Sequence, residues 1–236
     1  MAHLVPEVFP SEPTSWSEIQ KVTNATTFTA PEQGWFRFIA VAGSGKGGGG
    51  NTWQESNGES VYSGGGGGGA GGIAVSKFPL EKGETATIKF PNYTKDASFT
   101  CKGETATATA GAEGENYTTK GGGSGGTATG GNIANQKGRN GGRGYQTTGS
   151  KDTGGSAVTN GYEGYSTKSG KGGCRPAGNG FYTSGEEPSP KYGFVIISRG
   201  NTNLSLAAQN AEDITTLMLD NAELGQEVTG IMLSQA

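Results

Sequence analysis

Runs of glycine interrupt the middle of this chain, and they constrain its fold more than any other feature of the sequence. Glycine occupies 46 of 236 positions, against a usual share of roughly 7%. The runs are 43–50, 64–72, 121–131, 138–144, 149–155, 161–164, 170–173 and 178–180. Because so many positions lack a side chain and only 31% of the residues are hydrophobic, the apolar core is expected to be small for a chain of this length.

Two kinds of structure are compatible with these runs. Glycine-rich tracts commonly behave as flexible linkers. Alternatively, chains without side chains can approach closely enough to form backbone hydrogen bonds laterally, as a bundle of left-handed three-fold helices of the polyglycine II type. Ordering costs about 1–2 kcal/mol per residue, which hydrogen bonds of about 1 kcal/mol each barely offset. Such a bundle is stable only if a scaffold holds its ends. We therefore predict an ordered bundle whose ends are held by strands.

Segments with strand character border the glycine runs. They are rich in aromatic and β-branched residues and are bounded by turn residues, and they comprise 26–29, 35–42, 73–78, 84–90, 97–101 and 192–198. Apolar and polar residues alternate over 85–90, which predicts a strand with one solvent-exposed face. Residues 194–197 are all apolar, which predicts a strand covered on both faces. No helical periodicity occurs between residues 25 and 200, so this part is predicted to be all-β.

The two ends of the chain differ in composition from the middle. We predict an N-terminal arm at 1–24, a glycine-rich β domain at 25–200 and a C-terminal helical segment at 201–236. The last segment has a heptad-like seam, formed by Ile214, Leu217, Asn221, Leu224, Val228, Ile231 and Gln235. This seam predicts a homo-oligomer, expected to be a trimer, or docking to another protein. Because Gly225 and Gly230 weaken a free coiled coil, a helix packed on its own domain is the alternative.

Charge, cysteine and histidine content argue against several classes of function. A net charge of −3 gives no reason to expect a nucleic-acid partner. The sequence contains neither an apolar run long enough to span a membrane nor a recognisable secretory signal. Cys101 and Cys174 have no metal-binding spacing and are predicted to be free thiols. With His3 as the only histidine, we predict no metal, no cofactor and no catalytic residues, and hence no enzyme.

Aromatic residues concentrate in the short polar groups between the glycine runs. The predicted receptor-binding residues are Tyr145, Tyr162, Tyr165, Phe181 and Tyr182, with Trp53 and Tyr62 as secondary candidates. Exposed aromatic faces beside amides and hydroxyls suit recognition of a saccharide or a protein. Loops that join rods emerge at the two ends of a bundle, so these residues are expected to converge in space. The alternative is that the rings lie flat on glycine layers and cap the bundle.

The order of these features resembles the glycine-rich domain of phage and prophage tail-fibre proteins. The resemblance covers residues 25–198 and rests on FTAPEQGWFRF (28–38), GIAV (72–75), LEKGETATI (80–88), TATGG (127–131) and GFVII (193–197). The extracellular glycine-rich region of anaplastic-lymphoma-kinase-type receptors and the distal adhesins of T-even-like phages are similar in plan. The resemblance implies a jelly-roll or TNF-like β-sandwich with an inserted polyglycine II helix bundle. Residues 91–120 depart from it, being poorer in glycine.

The same resemblance implies a tail-associated structural protein of a phage or prophage. It would be an adhesin that binds a host-cell surface saccharide or protein and contacts other tail proteins, located in the virion tail after assembly in the host cytoplasm. A virion spacer or collar protein without receptor binding is the alternative, followed by a glycine-rich ice-binding or matrix protein.

Overall fold

The computed structural model describes residues 11–91, 95–148, 153–173 and 182–201. In these ranges the protein is all-β, without a helix, and its strands form open antiparallel sheets, in agreement with the predicted class. The predicted C-terminal helix and its seam lie outside the described residues, as do His3, Cys174 and Phe181. In the part of the chain that is described, no helix has the length and apolarity to cross a membrane.

The described residues contain sixteen strands. In chain order they are β1 (Trp16–Val22), β2 (Thr26–Thr29), β3 (Gly34–Val41), β4 (Gly50–Gln54), β5 (Ser60–Ser63), β6 (Ile73–Leu80), β7 (Thr85–Lys89), β8 (Ala97–Cys101), β9 (Glu104–Ala108), β10 (Ala128–Thr129), β11 (Ala134–Gln136), β12 (Gln146–Thr147), β13 (Thr159–Tyr162), β14 (Tyr165–Lys168), β15 (Tyr182–Thr183) and β16 (Phe194–Gly200). All six segments predicted as strands are confirmed. Several of the strands that were not predicted, such as β5, β9 and β13, consist mainly of small or polar residues, so they lack the apolar pattern that marks the others.

Two five-stranded sheets enclose the main core. The first has the order β1-β16-β3-β6-β11 and the second the order β10-β9-β8-β7-β2. One apolar cluster draws residues from both sheets, and Phe38 lies at its centre, fully buried. The ring centroid of Phe38 is 5.3 Å from that of Phe99, 5.7 Å from Phe28 and 6.2 Å from Phe78. These tilted and edge-on aromatic contacts join the two sheets into a sandwich-like core.

Strand β16 is buried on both faces, as its sequence predicts. Val195 and Ile197 belong to the core between the sheets. Phe194 and Ile196 point to the opposite face of the first sheet and form a second apolar cluster with residues of β3 and β6. Since the backbone groups of a buried strand must be hydrogen-bonded, β16 is paired on both sides, with β3 and with β1.

The N-terminal region differs from the predicted arm. The sequence predicts that residues 1–24 precede the fold, yet β1 pairs along β16 from Trp16↔Gly200 to Val22↔Val195. The strand has an irregular register between Glu18 and Gln20 and is largely exposed, so it forms an edge of the first sheet. An edge strand is paired on one side only and is largely exposed, so it can carry polar residues. The sequence of β1 therefore resembles that of a linker.

Hydrogen-bonded segments, most of them rich in glycine, lie between these strands. In the described residues there are eight, numbered here in chain order: segment 1 (42–49), segment 2 (64–72), segment 3 (109–117), segment 4 (120–127), segment 5 (137–145), segment 6 (153–158), segment 7 (169–173) and segment 8 (184–190). They belong to no strand, and none of their described glycines has a positive φ. Their backbone groups pair with other segments.

Segment 2 lies at the centre, and its backbone amides bond to three neighbours in rotation, except that the amide of Gly71 donates to Oγ of Ser44. Segment 5 accepts hydrogen bonds from the amides of Gly64, Gly67 and Ala70, segment 7 from those of Gly65 and Gly68, and segment 3 from those of Gly66, Gly69 and Gly72. The N···O distances are 2.8 to 3.1 Å. Its carbonyls accept hydrogen bonds from segments 1, 4 and 6. Segment 2 therefore has six neighbours, and its bonds to a given neighbour recur every third residue.

The six neighbours also bond to one another and close a ring. Backbone hydrogen bonds join segment 3 to segments 1 and 4, segment 5 to segments 4 and 6, and segment 7 to segments 6 and 1. Segment 8 lies outside this ring, against segments 1 and 7. The central chain is thus enclosed on every side by backbone, and we call this assembly the glycine bundle.

Close packing explains why segment 2 is made almost entirely of glycine. A Cβ atom on Gly66 would stand 1.8 Å from the carbonyl oxygen of Gly121, and one on Gly67 would stand 2.1 Å from that of Ser156. One on Gly68 would stand 2.1 Å from the carbonyl oxygen of Gly45. Three consecutive positions thus face segments 4, 6 and 1. A Cβ added at any other glycine of segment 2 would also collide with backbone, so only position 70, which is alanine, has room for a side chain.

Candidate functional site

The glycine bundle has two different ends. At one end its segments join the strands of the two large sheets; segment 1 follows β3 and segment 2 leads into β6. At the other end the chain turns back between segments 1 and 2, 3 and 4, 5 and 6, and 7 and 8. Four connections that are far apart in sequence therefore meet at the end remote from the large sheets. We call the described residues there, 50–63, 116–120, 145–148 and 182–184, the distal surface.

A third sheet, of the order β12-β5-β4-β15, organises the distal surface. Its centre is the hairpin of β4 and β5, with Trp53 paired to Val61 and Thr52 to Tyr62. Strand β12 adds Thr147 opposite Tyr62, and β15 adds Tyr182 opposite Asn51. Three of the four connections thus contribute to one small sheet. The fourth is attached by Ser63, whose Oγ donates to the carbonyl oxygen of Tyr117 at 2.9 Å.

The structure brings four of the seven predicted receptor-binding residues to this surface. Trp53 and Tyr62 are half-buried, Tyr145 is 48% exposed, and the backbone of Tyr182 forms part of the third sheet. Tyr117 adds a half-buried aromatic residue that the site prediction omitted. Its position between a short polar group and a glycine run was the available signal. Phe181 lies outside the described residues.

Polar side chains share the distal surface with these aromatic residues. At the tip of the β4–β5 hairpin, the Asn57 side chain accepts from the backbone amide of Glu59 at 2.9 Å and donates to its carboxylate at 3.1 Å. The Gln54 amide donates to the carbonyl oxygen of Gly58 at 2.7 Å, a glycine with φ of +86° that permits the turn. Thr118 and Thr119, which follow Tyr117 in the chain, are exposed. Amides, hydroxyls and carboxylates therefore accompany the aromatic rings, a combination suited to recognition by hydrogen bonding and stacking.

Tyr162 and Tyr165 lie elsewhere, away from the distal surface. They are directly opposed in the β13–β14 hairpin and pack on the second apolar cluster, over the outer face of the first sheet. The run 161–164, expected to be a glycine rod, contains the turn of this hairpin, with φ of +42° at Glu163 and +86° at Gly164. Two consecutive positive φ values are typical of a two-residue hairpin turn. The pattern Tyr-Glu-Gly-Tyr was the signal that could have identified it.

Polar contacts attach this hairpin to the first sheet. The Arg37 guanidinium is buried and forms an ion pair with Glu163, and its Cζ lies 5.0 Å from the centroid of the Trp16 ring. The Tyr165 hydroxyl donates to Oε2 of Glu18 at 2.7 Å. Tyr162 and Tyr165 therefore cover the outer face of the first sheet. They are capping residues, as in the alternative prediction for the aromatic rings, but they cap a sheet and not the glycine bundle.

The contact between Tyr165 and Glu18 predicts a pH response. Burial, together with the hydrogen bond to Glu18, raises the pKa of Tyr165 to about 12 from 10.0. Because this pKa is raised in the folded state, the stabilisation is complete below pH 10 and is lost as the pH rises towards 12. We expect ultraviolet titration to show two phenols, Tyr165 and Tyr162, ionising after the exposed tyrosines, because burial also raises the pKa of Tyr162. In Tyr165→Phe one of these two late ionisations should disappear, and the persistence of both would contradict the assignment.

Other reactive groups are few in the described residues. No three His, Cys, Asp or Glu side chains there are placed to bind a metal ion. Cys101 is a buried free thiol, and burial raises its pKa to about 11, which keeps it protonated and unreactive near neutral pH.

No protein-family model matches the chain, and no curated protein matches it. Function is therefore inferred from the geometry of the distal surface and of the bundle that carries it.

Proposed function

We propose that this chain is a tail-associated adhesin of a phage or prophage, which binds a saccharide or protein on the host-cell surface through the distal surface. The observation that carries the proposal is that separate connections of the chain bring aromatic residues, amides and hydroxyls together at the far end of the glycine bundle. The role proposed is binding and not catalysis. Localisation in the virion tail belongs to the same proposal.

The detailed architecture is also part of the proposal. We infer that segment 2 and its six neighbours are polyglycine II helices in hexagonal packing, inserted into a sandwich of jelly-roll or TNF-like topology. The three-residue repeat of the hydrogen bonds, the ring of six neighbours and the lack of positive φ values at the described glycines of these segments support this inference, because a left-handed three-fold helix repeats every three residues with φ near −75°.

A bundle of this kind suits an adhesin for a physical reason. Loops usually lose conformational entropy when they bind, at about 0.5–1.5 kcal/mol for each side chain that becomes immobilised. Here the loops begin and end on segments whose backbones are hydrogen-bonded on several sides, such as segment 5, which ends at Tyr145. Their ends are fixed before binding, so less entropy remains to be lost. A self-associating C-terminal segment, inferred from sequence alone, would add avidity.

Competition with the parent phage tests the proposal. The purified chain should bind intact host bacteria and reduce infection, whereas a spacer or collar protein should do neither. Tyr145→Ala and Tyr62→Ala should each weaken binding to the cells by about 1–3 kcal/mol, since central aromatic contacts dominate binding energy. Tyr165→Phe is the matched control and should bind normally.

The same variants distinguish binding residues from capping residues. Thermal unfolding should change little in Tyr145→Ala, because this side chain is 48% exposed. Variants that melt earlier yet bind bacteria normally would identify the rings as caps and move the receptor site elsewhere.

A further inference from the structure

A groove lies where the glycine bundle meets the outer part of the first sheet. Its volume is about 410 Å³, and it is lined by Lys21, Thr23, Asn24, Lys191, Tyr192 and Phe194, among others. The first three follow one another closely at the end of β1, and the last three lead from segment 8 into β16. This volume falls within the range of about 300–1,000 Å³ that is typical of small-ligand sites, so it suits one or two sugar rings better than a macromolecule.

The charged groups of the groove are both cationic. The Lys21 ammonium lies 4.2 Å from the centroid of the Phe194 ring, and within the described residues no carboxylate is paired with it. The Lys191 ammonium lies 5.8 Å from the centroid of Tyr192 and 3.4 Å from Oε2 of Glu187. Glu187 also pairs with Lys46 at 2.7 Å, so its charge is shared. No Asp or Glu is among the residues that line the groove.

An exposed aromatic side chain forms one wall. Tyr192 is 52% exposed, although a tyrosine usually buries most of its ring. A phenol ring open to solvent provides a flat apolar face, and the hydroxyl of Thr23 and the amide of Asn24 provide hydrogen-bonding groups beside it. This combination fits a pyranose ring, which has an apolar face and an edge of hydroxyl groups. The two lysines add a preference for an anionic substituent.

We propose that this groove binds an acidic saccharide, with the sugar face on Tyr192 and its carboxylate, sulfate or phosphate group between Lys21 and Lys191. The groove belongs to the end of the bundle that joins the large sheets, whereas the distal surface lies at the opposite end. The site is therefore separate from the proposed receptor-binding surface and does not depend on it. An acidic peptide is the competing ligand, but it would extend beyond a groove of this size.

Binding to a panel of oligosaccharides tests the proposal with the full chain. The panel contains uronic-acid, sialic-acid, sulfated and phosphorylated sugars, each with its neutral counterpart, together with an oligoglutamate peptide. We expect at least one acidic sugar to bind at least about tenfold more tightly than its neutral counterpart, with an affinity that falls as salt rises. Calorimetry or ligand-observed NMR measures both.

Variants assign the binding to the groove. Lys21→Gln and Tyr192→Ala should each weaken it about fivefold or more, with unchanged melting temperatures. Lys82→Gln, which alters an exposed lysine outside the groove, and Tyr145→Ala should have no effect. The proposal is overturned if no acidic sugar binds, if the neutral sugars or the peptide bind equally well, or if Lys21→Gln and Tyr192→Ala bind normally. If the full chain binds the acidic sugar but does not bind bacteria, the result counts against the proposed role of the distal surface alone.

Discussion

Gly66→Ala is expected to lower the free energy of unfolding by about 3–5 kcal/mol, through overpacking that costs about 1–3 kcal/mol and the loss of hydrogen bonds worth about 1 kcal/mol each. The added Cβ would stand 1.8 Å from the carbonyl oxygen of Gly121 and 2.5 Å from its carbon. Both atoms belong to backbone, so no side chain can rotate away. Segment 4 must move, and its bonds to segments 3 and 5 weaken with it.

Urea unfolding followed by circular dichroism measures this loss, and Gly34→Ala is the control. Gly34 is buried in β3, but a Cβ there has no atom within 4 Å. The control should change stability by less than about 1 kcal/mol, because the position accepts a side chain without strain. Gly67→Ala and Gly68→Ala should resemble Gly66→Ala although they face other segments. Normal stability in all three would mean that segment 2 is not enclosed and that the runs are linkers.

Phe38→Ala is expected to destabilise the protein by about 3–5 kcal/mol, the usual cost of removing a buried aromatic side chain. Phe38 is completely buried, with 0% of its surface accessible to solvent. Its ring contacts those of Phe28, Phe78 and Phe99 in the core. Its removal leaves a cavity between the two large sheets. Ile133→Ala is the control, because Ile133 is 38% exposed and should lose less than about 1 kcal/mol.

The same variant examines whether the sandwich holds the bundle together. Segments 1 and 2 are continuous with β3 and β6, the strands that carry Phe38 and Phe78. Loosening these strands should therefore speed hydrogen exchange at the amides of segment 2. Exchange that is accelerated only in the large sheets would show that the bundle is stable independently of the core.

The strands of the main core could be predicted because their side chains determine them. Alternation over 85–90 matches the exposed and buried positions of β7, and the apolar sequence of 194–197 matches its central place in the first sheet. Strand β1 could not be predicted from its sequence, because the pairing with β16 is made by backbone groups that every residue carries. The same applies to β12 and β15, which are two residues long and exist only beside β5 and β4.

The aromatic residues illustrate the same division. Their composition identified candidates for recognition, but it could not separate Tyr145 on the distal surface from Tyr165 on the first sheet. The separation depends on the turn at Glu163 and Gly164, which folds residues 159–168 into a hairpin. Tyr165 then reaches Glu18, a residue 147 positions away.

Sequence alone determined which positions of the bundle must be glycine, and the structure explains the pattern. In segment 2 eight of nine residues are glycine, since backbone surrounds it on every side, whereas segment 5 has glycine at 138, 141 and 144, which face inwards, and at 142, which faces segment 6. Only the tertiary structure decided which segments are neighbours. Glycine has no side chain with which one segment could select another, so the choice depends on where the strands attached to each segment lie in the sheets.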